Sequence, residues 1–301
     1  PTDESLAEFL LREGYGTALT EDHLLPMAAA IWSCSARTML DYPVRSFLQF
    51  MENHKLLNFI DRPQWRTVKG GSREYVNRLI DTLGGMDGGR VHLNTNITGI
   101  RRDQGGVILS IEGQGDVWFD KVVMAAHADQ SLAMITDATV LERDILSSFR
   151  FQPNRAVLHS DPSLMPKRRA AWGSWNYIGS HEGEESLCLT YWMNKLQSID
   201  NAYPLFETLN PHREPHPALV HGTYSYDHPM FDERAVKGQQ RLPMIQGTGD
   251  LFFAGAWTGH GFHEDGLKSA IAVARTLGVE IPWQTSVDPY PLLPADDREI
   301  A

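Results

Sequence analysis

Cysteine is scarce in this sequence. Cys34 and Cys188 are the only two among 301 residues. Two cysteines cannot build a disulfide framework, and no C-x-x-C pair is present to hold zinc or run thiol exchange. That usage points to a reducing, cytoplasmic compartment. There is no apolar run of roughly 18 residues, so no transmembrane helix is expected. The opening PTDESLAEFL has no basic stretch leading into an apolar one, so no signal peptide is read there. Positive charge is also in deficit. Lys and Arg total 27 against 38 Asp and Glu, for a net charge of −11. A general nucleic-acid partner needs a basic face and is not expected. The local exception is Lys167-Arg168-Arg169, whose ordinary reading is a solvated loop. Internal repeats and low-complexity tracts are lacking too. The first residue is Pro1, not Met, so the chain reads as starting inside a larger product.

What is present suits a folded core. Hydrophobic residues make up 42% and charged residues 22%, ordinary proportions for a globular protein. The length suits one large domain or two interleaved ones. Residues 1–60 read as mostly helical. Thr20 or Asp22 could cap a run through Leu24, Met27, Ala28 and Ile31, with Pro26 near its first turn. Residues 45–54 form a second amphipathic pattern. In VKGGSREYVNRLIDTLGG at 68–85, Ser72 is the candidate N-cap. Tyr75, Val76, Leu79, Ile80 and Leu83 make the helical stripe, and Gly84-Gly85 the stop. The period then changes to two. Val91, Leu93, Thr95 and Ile97 alternate, as do Val107, Leu109 and Ile111, with glycine turns between them and before Val117-Trp118-Phe119. This predicts a β-meander. KVVMAA at 121–126 reads as a strand buried on both faces. Strand-like aromatic segments follow at 170–178 and 186–193. The Pro- and His-rich stretch 204–230 reads as irregular loop, and the residues after Val279 as a tail.

The densest chemistry lies at 252–270, FFAGAWTGHGFHEDGLKSA. A short apolar strand (251–254) runs into a glycine-rich loop. A helix then carries Leu267, Ala270, Ile271, Ala274 and Leu277 on one face up to Gly278. Acids at Glu264 and Asp265 suit the positive end of a helix dipole. Such a terminus offers N–H groups to an anion or an electron-rich ring edge, and Gly255 and Gly266 let backbone approach a flat ligand. Three other readings compete on spacing alone. His260 and His263 with Glu264 or Asp265 could bind a metal. A hydrolase would need G-x-S-x-G after the strand, and the loop has Thr258 but no serine. An ordinary strand–loop–helix joint would satisfy its histidines locally.

LFFAGAWTGHGFHEDGLKSAIAVA resembles the C-terminal flavin motif of the flavin-containing amine oxidase superfamily. The likeness is nearest to a subgroup of predicted NAD/FAD-binding oxidoreductases. RPQWRTVKGGSREYV at 62–76 looks like that subgroup's crossover between substrate and flavin parts. VVMAAHADQSLAMI at 122–135 looks like its strand and loop near the adenine end. The resemblance implies a mixed α/β (α+β) fold. An incomplete FAD-binding Rossmann-like domain with a β-meander would be interleaved with a substrate domain of antiparallel sheet and helices. The expected segments are 1–66 (helical substrate part), 67–150 (FAD-binding), 151–245 (substrate sheet and loops), 246–280 (FAD-binding strand–loop–helix) and 281–301 (tail).

The resemblance further implies FAD as cofactor and no metal. Gly70 and Gly71 would lie against the flavin and Ile97 where backbone meets the adenine. Ala126 and His127 would sit near the adenosine or pyrophosphate. Gly255, Ala256 and Trp257 would pass the ribityl-pyrophosphate part. Phe262 and His263 would line the ring, with His263 the candidate catalytic residue. Glu264, Asp265 and Gly266 would set the helix start at the flavin's pyrimidine edge. Two departures stand out. Ala256 occupies a position where many members carry an acid. The G-x-G-x-x-G of a dinucleotide βαβ unit is missing, since Trp118 follows Gly113-Gln-Gly115 and Glu264 follows Gly259-His-Gly261 where the third glycine should stand. The expectation is therefore a C-terminal portion, completed by an N-terminal FAD-binding segment or a second chain.

On the substrate side, Trp172, Trp175, Tyr177, Tyr191 and Trp192 read as sheet packing or as the wall of an apolar cavity. The expected activity is oxidation or desaturation of an apolar, lipid-like substrate, with peripheral membrane contact as an accompanying expectation. The alternatives are a flavin-dependent isomerase and a non-catalytic binding module.

Overall fold

The structure is a computed structural model, and it describes residues 4–32, 34–58, 60, 64, 66–178, 188–281 and 283. The expected tail beyond 281 therefore lies almost wholly outside the described residues. In chain order the helices are α1 (Leu6–Arg12), α2 (Thr17–Leu19), α3 (Leu25–Trp32), α4 (Ala36–Leu40), α5 (Val44–Asn53) and α6 (Arg73–Gly84). After them come β1 (Ile97–Asp103), β2 (Gly106–Ile111), β3 (Gly115–Phe119), β4 (Val122–Met124), α7 (Ala128–Met134), α8 (Val140–Leu146) and β5 (Arg150–His159). The remainder is β6 (Trp175–Tyr177), β7 (Leu189–Trp192), α9 (Met193–Gln197), β8 (Phe206–Leu209), β9 (Val220–Met230), α10 (Glu233–Arg241), β10 (Leu251–Phe253) and α11 (His263–Thr276). The fold is mixed α/β with antiparallel sheets, as expected. Among the described residues no helix is long and apolar enough to cross a membrane.

The chain forms two compact units, residues 1–93 with 152–228, and residues 94–151 with 229–301. It passes between them at 93, 151 and 228, against expected segment ends at 66, 150, 245 and 280.

In the first unit, α1 opens with a capping box in which Ser5 accepts from the Glu8 amide and Glu8 answers to Ser5. The helical run from Thr17 widens to a π-turn over Thr20–Leu24 before α3. Pro26 offers no N–H to the Asp22 carbonyl, and the Leu25 amide reaches back to Thr20 instead. The core packs Trp32, Met39, Tyr42, Phe47, Phe50 and Met51, with the Trp32 and Phe50 rings 4.5 Å apart. Both cysteines are buried and free. Burial pushes the Cys34 thiol up to about 12.

The sheet of this unit has the strand order β6-β7-β8-β5-β9. Here 204–230 departs from the expected loop, because it supplies β8 and all of β9. β9 is an edge strand exposed along its middle, so it shows no buried alternation. One sheet face is fully buried through Asn176, Thr190, Thr208 and Val157, which are cross-strand neighbours. Ser72 precedes α6 but makes no side-chain cap, and no residue of α6 is buried.

In the second unit, β1, β2 and β3 form the expected antiparallel meander. Its first strand starts at Ile97, not at Val91, because Asn94 turns left-handed with φ 55° and ends any extended run there. β4 pairs in parallel with β10, Val122 to Leu251 through Met124 to Phe253. This corrects the expectation of a strand buried on both faces. The sheet has two strands, and Val123 points to the open side at 44% exposure. Residues 128–134, expected as loop, form α7. The core joins Ile100, Val107, Ile145, Leu146, Phe149, Ile245, Leu251, Phe253 and Trp257.

Candidate functional site

All three residues of β10 are buried, and the chain leaves the strand through Ala254, whose amide donates to the Met124 carbonyl at 3.0 Å. Residues 255–262 then form a loop tied mainly to itself. The amides of Gly259 and Gly261 both donate to the Ala256 carbonyl at 3.1 Å, and the Thr258 hydroxyl donates to Gly255 O at 2.8 Å. Gly255 has φ 152°, and a Cβ there would meet the Trp257 ring nitrogen at 2.5 Å. Gly261, at φ 90°, lies against the Phe231 ring, 3.0 Å from where its Cβ would stand. Glycine is required at both positions by backbone conformation and by space.

The side chains expected to line a cofactor divide into two groups. Trp257 turns inward. It is 3% exposed, its Nε1 donates to Ala126 O at 3.1 Å, and its ring meets Phe149 edge-on at 4.5 Å. Asp265 is engaged within the loop, accepting the Phe262 amide at 3.0 Å. Gly255, Ala256, Phe262 and Gly266 are partly exposed, and His263 and Glu264 are exposed at the start of α11. The buried face of α11 is carried by Ile271 and Val273, while Leu267 is 41% exposed.

Ala126 and His127 follow β4 directly, so the parallel strand pair brings them beside the 255–257 loop. His127 stacks on Phe151, rings 4.2 Å apart and 7° from parallel. Its Nδ1 and the Ser131 hydroxyl are buried with no hydrogen-bond partner among the described residues. Ile97 begins β1 and packs at the edge of the same core cluster as Trp257. Gly70 and Gly71 belong to the other unit, both with positive φ, in the turn before α6. Among the described residues no three His, Cys, Asp or Glu side chains are grouped to hold a metal ion.

Three contributors escaped the sequence reading. Gln239 on α10 donates both carboxamide protons into the loop, to Trp257 O at 3.0 Å and Gly259 O at 2.6 Å. Ser269 accepts the Gly255 amide at 2.9 Å and donates to Gly266 O at 2.7 Å. Gln246 brackets Phe253, accepting from its amide at 2.8 Å and donating to its carbonyl at 2.7 Å. None carries a sequence signal, because an isolated amide or hydroxyl in a polar segment looks like solvated surface.

The result is a parallel strand pair, a glycine-bearing loop that turns Trp257 inside, and a 14-residue helix starting at the loop's end. This arrangement belongs to the class of flavin-type oxidoreductase folds. The family model for flavin containing amine oxidoreductases matches residues 2–154, and the chain belongs to that family. Among solved structures, the CLA-producing fatty acid isomerase from P. acnes aligns with a TM-score of 0.62 at 16% identity, over 92% of this chain and 67% of that one. Cyclohexylamine oxidase from Brevibacterium oxydans IH-35A aligns with a TM-score of 0.58 at 13% identity, over 92% and 68%. Reduced UDP-galactopyranose mutase aligns with a TM-score of 0.58 at 10% identity, over 92% and 69%. At these identities the likeness establishes the fold alone. A search of curated proteins finds no match.

Proposed function

We propose that the protein acts as an FAD-dependent oxidoreductase that oxidises or desaturates an apolar substrate. The observation that carries this reading is the inward turn of the 255–266 loop. Trp257 and Asp265 point into the protein or along the loop, so Gly255, Ala256 and Gly266 stay partly exposed beside Phe262, with His263 and Glu264 exposed at the helix start. Such a surface suits a flat, anionic cofactor better than it suits a metal or a nucleophile.

The residues present fit that cofactor. The Nδ1 of His127 and the hydroxyl of Ser131 are buried polar groups with no hydrogen-bond partner among the described residues, close after Ala126 in the chain. Gly255, Ala256, Phe262 and Gly266 would hold it by backbone, and the first turn of α11 would favour negative charge. When bound, FAD supplies the two-electron acceptor for a hydride leaving a substrate carbon. The protein's part is to bind, orient and exclude water. His263, exposed at the helix start, is the proposed polar group nearest that chemistry.

The intact gene product, purified natively, is expected to carry or take up FAD, read from flavin visible absorbance after gel filtration. A product that neither carries nor takes up FAD overturns the reading. The fold shared with a fatty acid isomerase supports a second reading, isomerisation without net oxidation. Anaerobic product analysis separates them, since only oxidation yields a product two hydrogens poorer than the substrate.

A further inference from the structure

In the first unit, away from the strand–loop–helix, Lys167, Arg168 and Arg169 project from a tight, exposed turn. Three features fix that turn. Trp172 donates its Nε1 to Pro166 O at 2.8 Å, the Ala171 amide donates to Arg168 O at 2.9 Å, and the Trp172 amide donates to Arg169 O at 3.0 Å. The Arg169 guanidinium lies 4.8 Å from the Trp172 ring centroid and 5.8 Å from that of Trp192. The two indoles meet edge-on at 5.4 Å, and Trp172 abuts the buried Phe206 at 5.6 Å. Exposed Arg213, whose guanidinium donates to the Ser163 carbonyl four residues before Lys167, adds a fourth cation near the start of this segment.

None of these four cations makes an ion pair among the described residues. In a chain with 38 acids to 27 bases, a group of cations with no carboxylate partner among the described residues stands against the average. A flexible basic tail would lose entropy on docking, whereas this one is already ordered by its tryptophans.

We propose that this turn docks the protein on a bilayer bearing anionic phospholipids. A nucleic acid would need a broad basic face, and the net charge of −11 would repel a long polyanion everywhere else. A bilayer differs because its anionic lipids are mobile and collect under a small basic patch. Part-exposed indoles beside the cations suit the headgroup region, where an amphipathic ring is at home. The inference stands on charge and geometry and does not depend on the cofactor reading.

The test is co-sedimentation of the full chain with phosphatidylcholine vesicles, with and without phosphatidylglycerol, at low and high salt. Each cation near the surface strengthens partition about fivefold. The wild type is expected to bind only the anionic vesicles and to be released by salt. Lys167→Gln with Arg168→Gln should weaken binding roughly thirtyfold. Lys167→Arg with Arg168→Lys should retain it. Binding that ignores phosphatidylglycerol overturns the proposal, as does undiminished binding by the glutamine pair. Equally tight binding to a mixed-sequence DNA duplex also overturns it.

Discussion

Arg102 and Glu142 offer the sharpest test of what holds the second unit together. Glu142 is the N3 residue of the α8 capping box and is fully buried. One carboxylate oxygen accepts the Thr139 amide at 2.8 Å and the Thr139 hydroxyl at 2.9 Å, and the other accepts from the Arg102 guanidinium. Arg102 comes from β1, at 19% exposure. It also reaches Asp137 at 3.1 Å and the Thr248 carbonyl at 3.4 Å. One guanidinium therefore ties the meander to α8 and to the segment before β10. The two ends of the pair are unequal. Arg102→Met leaves a fully buried carboxylate without its counter-charge, which costs about 3–5 kcal/mol. Glu142→Gln leaves Arg102 with Asp137 and the Thr248 carbonyl, so its cost is nearer that of a disturbed hydrogen bond, about 1–3 kcal/mol. As a control, Arg241→Ala removes a half-exposed pair with Asp144 at 2.7 Å, worth about 0–1 kcal/mol. Urea unfolding of the three variants reads these differences directly. If Arg102→Met lies within about 1 kcal/mol of wild type, or is milder than Glu142→Gln, the proposed tie does not exist.

Two further expectations concern buried titratable groups of the first unit. His159 is fully buried, and the Asp161 amide donates to its Nδ1 at 3.1 Å, so its proton sits on Nε2 and goes to the Thr208 hydroxyl at 2.7 Å. Thr208 and Thr190 lie 2.8 Å apart, and the Thr190 hydroxyl continues to Leu164 O at 3.3 Å. Burial holds the His159 pKa below its ordinary 6.5, against the pull of Asp161 and with help from His221. The unfolded chain therefore binds the extra proton first. Stability is complete above pH 6.5 and falls as the pH drops from there toward the folded value. The Asp161 carboxyl titrates outside this window. Burial pushes it up, but the amides of His216 and Ser163 hold it below 3.8. A His159→Gln chain that folds should lose this slope, and an unchanged slope refutes the assignment. Glu207 is half-buried opposite Tyr191 and Leu158 with no bonded partner among the described residues, and burial raises its pKa above 4.5. The raised value costs stability as pH climbs through it, so Glu207→Gln should be more stable than wild type at neutral pH. That advantage should vanish below pH 4.5, and an advantage that persists in acid would show a cause other than the charge.

What the sequence displayed, and what it hid, follows from burial. β10 is legible because all its residues are buried and apolar, and the first two meander strands because Ile97, Ile100, Val107 and Leu109 meet the core. β9 was hidden, since an edge strand with exposed Tyr224, Ser225 and Tyr226 has no apolar period to show. The stripe on α6 shows the converse. Tyr75, Val76, Leu79, Ile80 and Leu83 keep perfect helical spacing, yet each is at least 36% exposed. Periodicity reveals that a helix forms; it does not reveal what covers it.

The loop at 255–266 teaches a related lesson about function. Its aromatics, acids and histidines look in sequence like reactive machinery. In the structure two of these side chains serve shape. Trp257 pins the loop to Ala126, and Asp265 closes the first turn of α11. The partners that complete the clamp, Gln239 and Ser269, are chemically plain and distant in sequence. A binding site made of backbone must be stiff, because amides and carbonyls keep their aim only if the chain does. Glycine alone would leave it loose. Trp257 beside Gly255, Asp265 beside Gly259 and Phe231 beside Gly261 leave this glycine-rich loop little room to move, which suits the proposed recognition of a cofactor by backbone. That restricted loop supports the proposed cofactor role over catalysis by its own side chains.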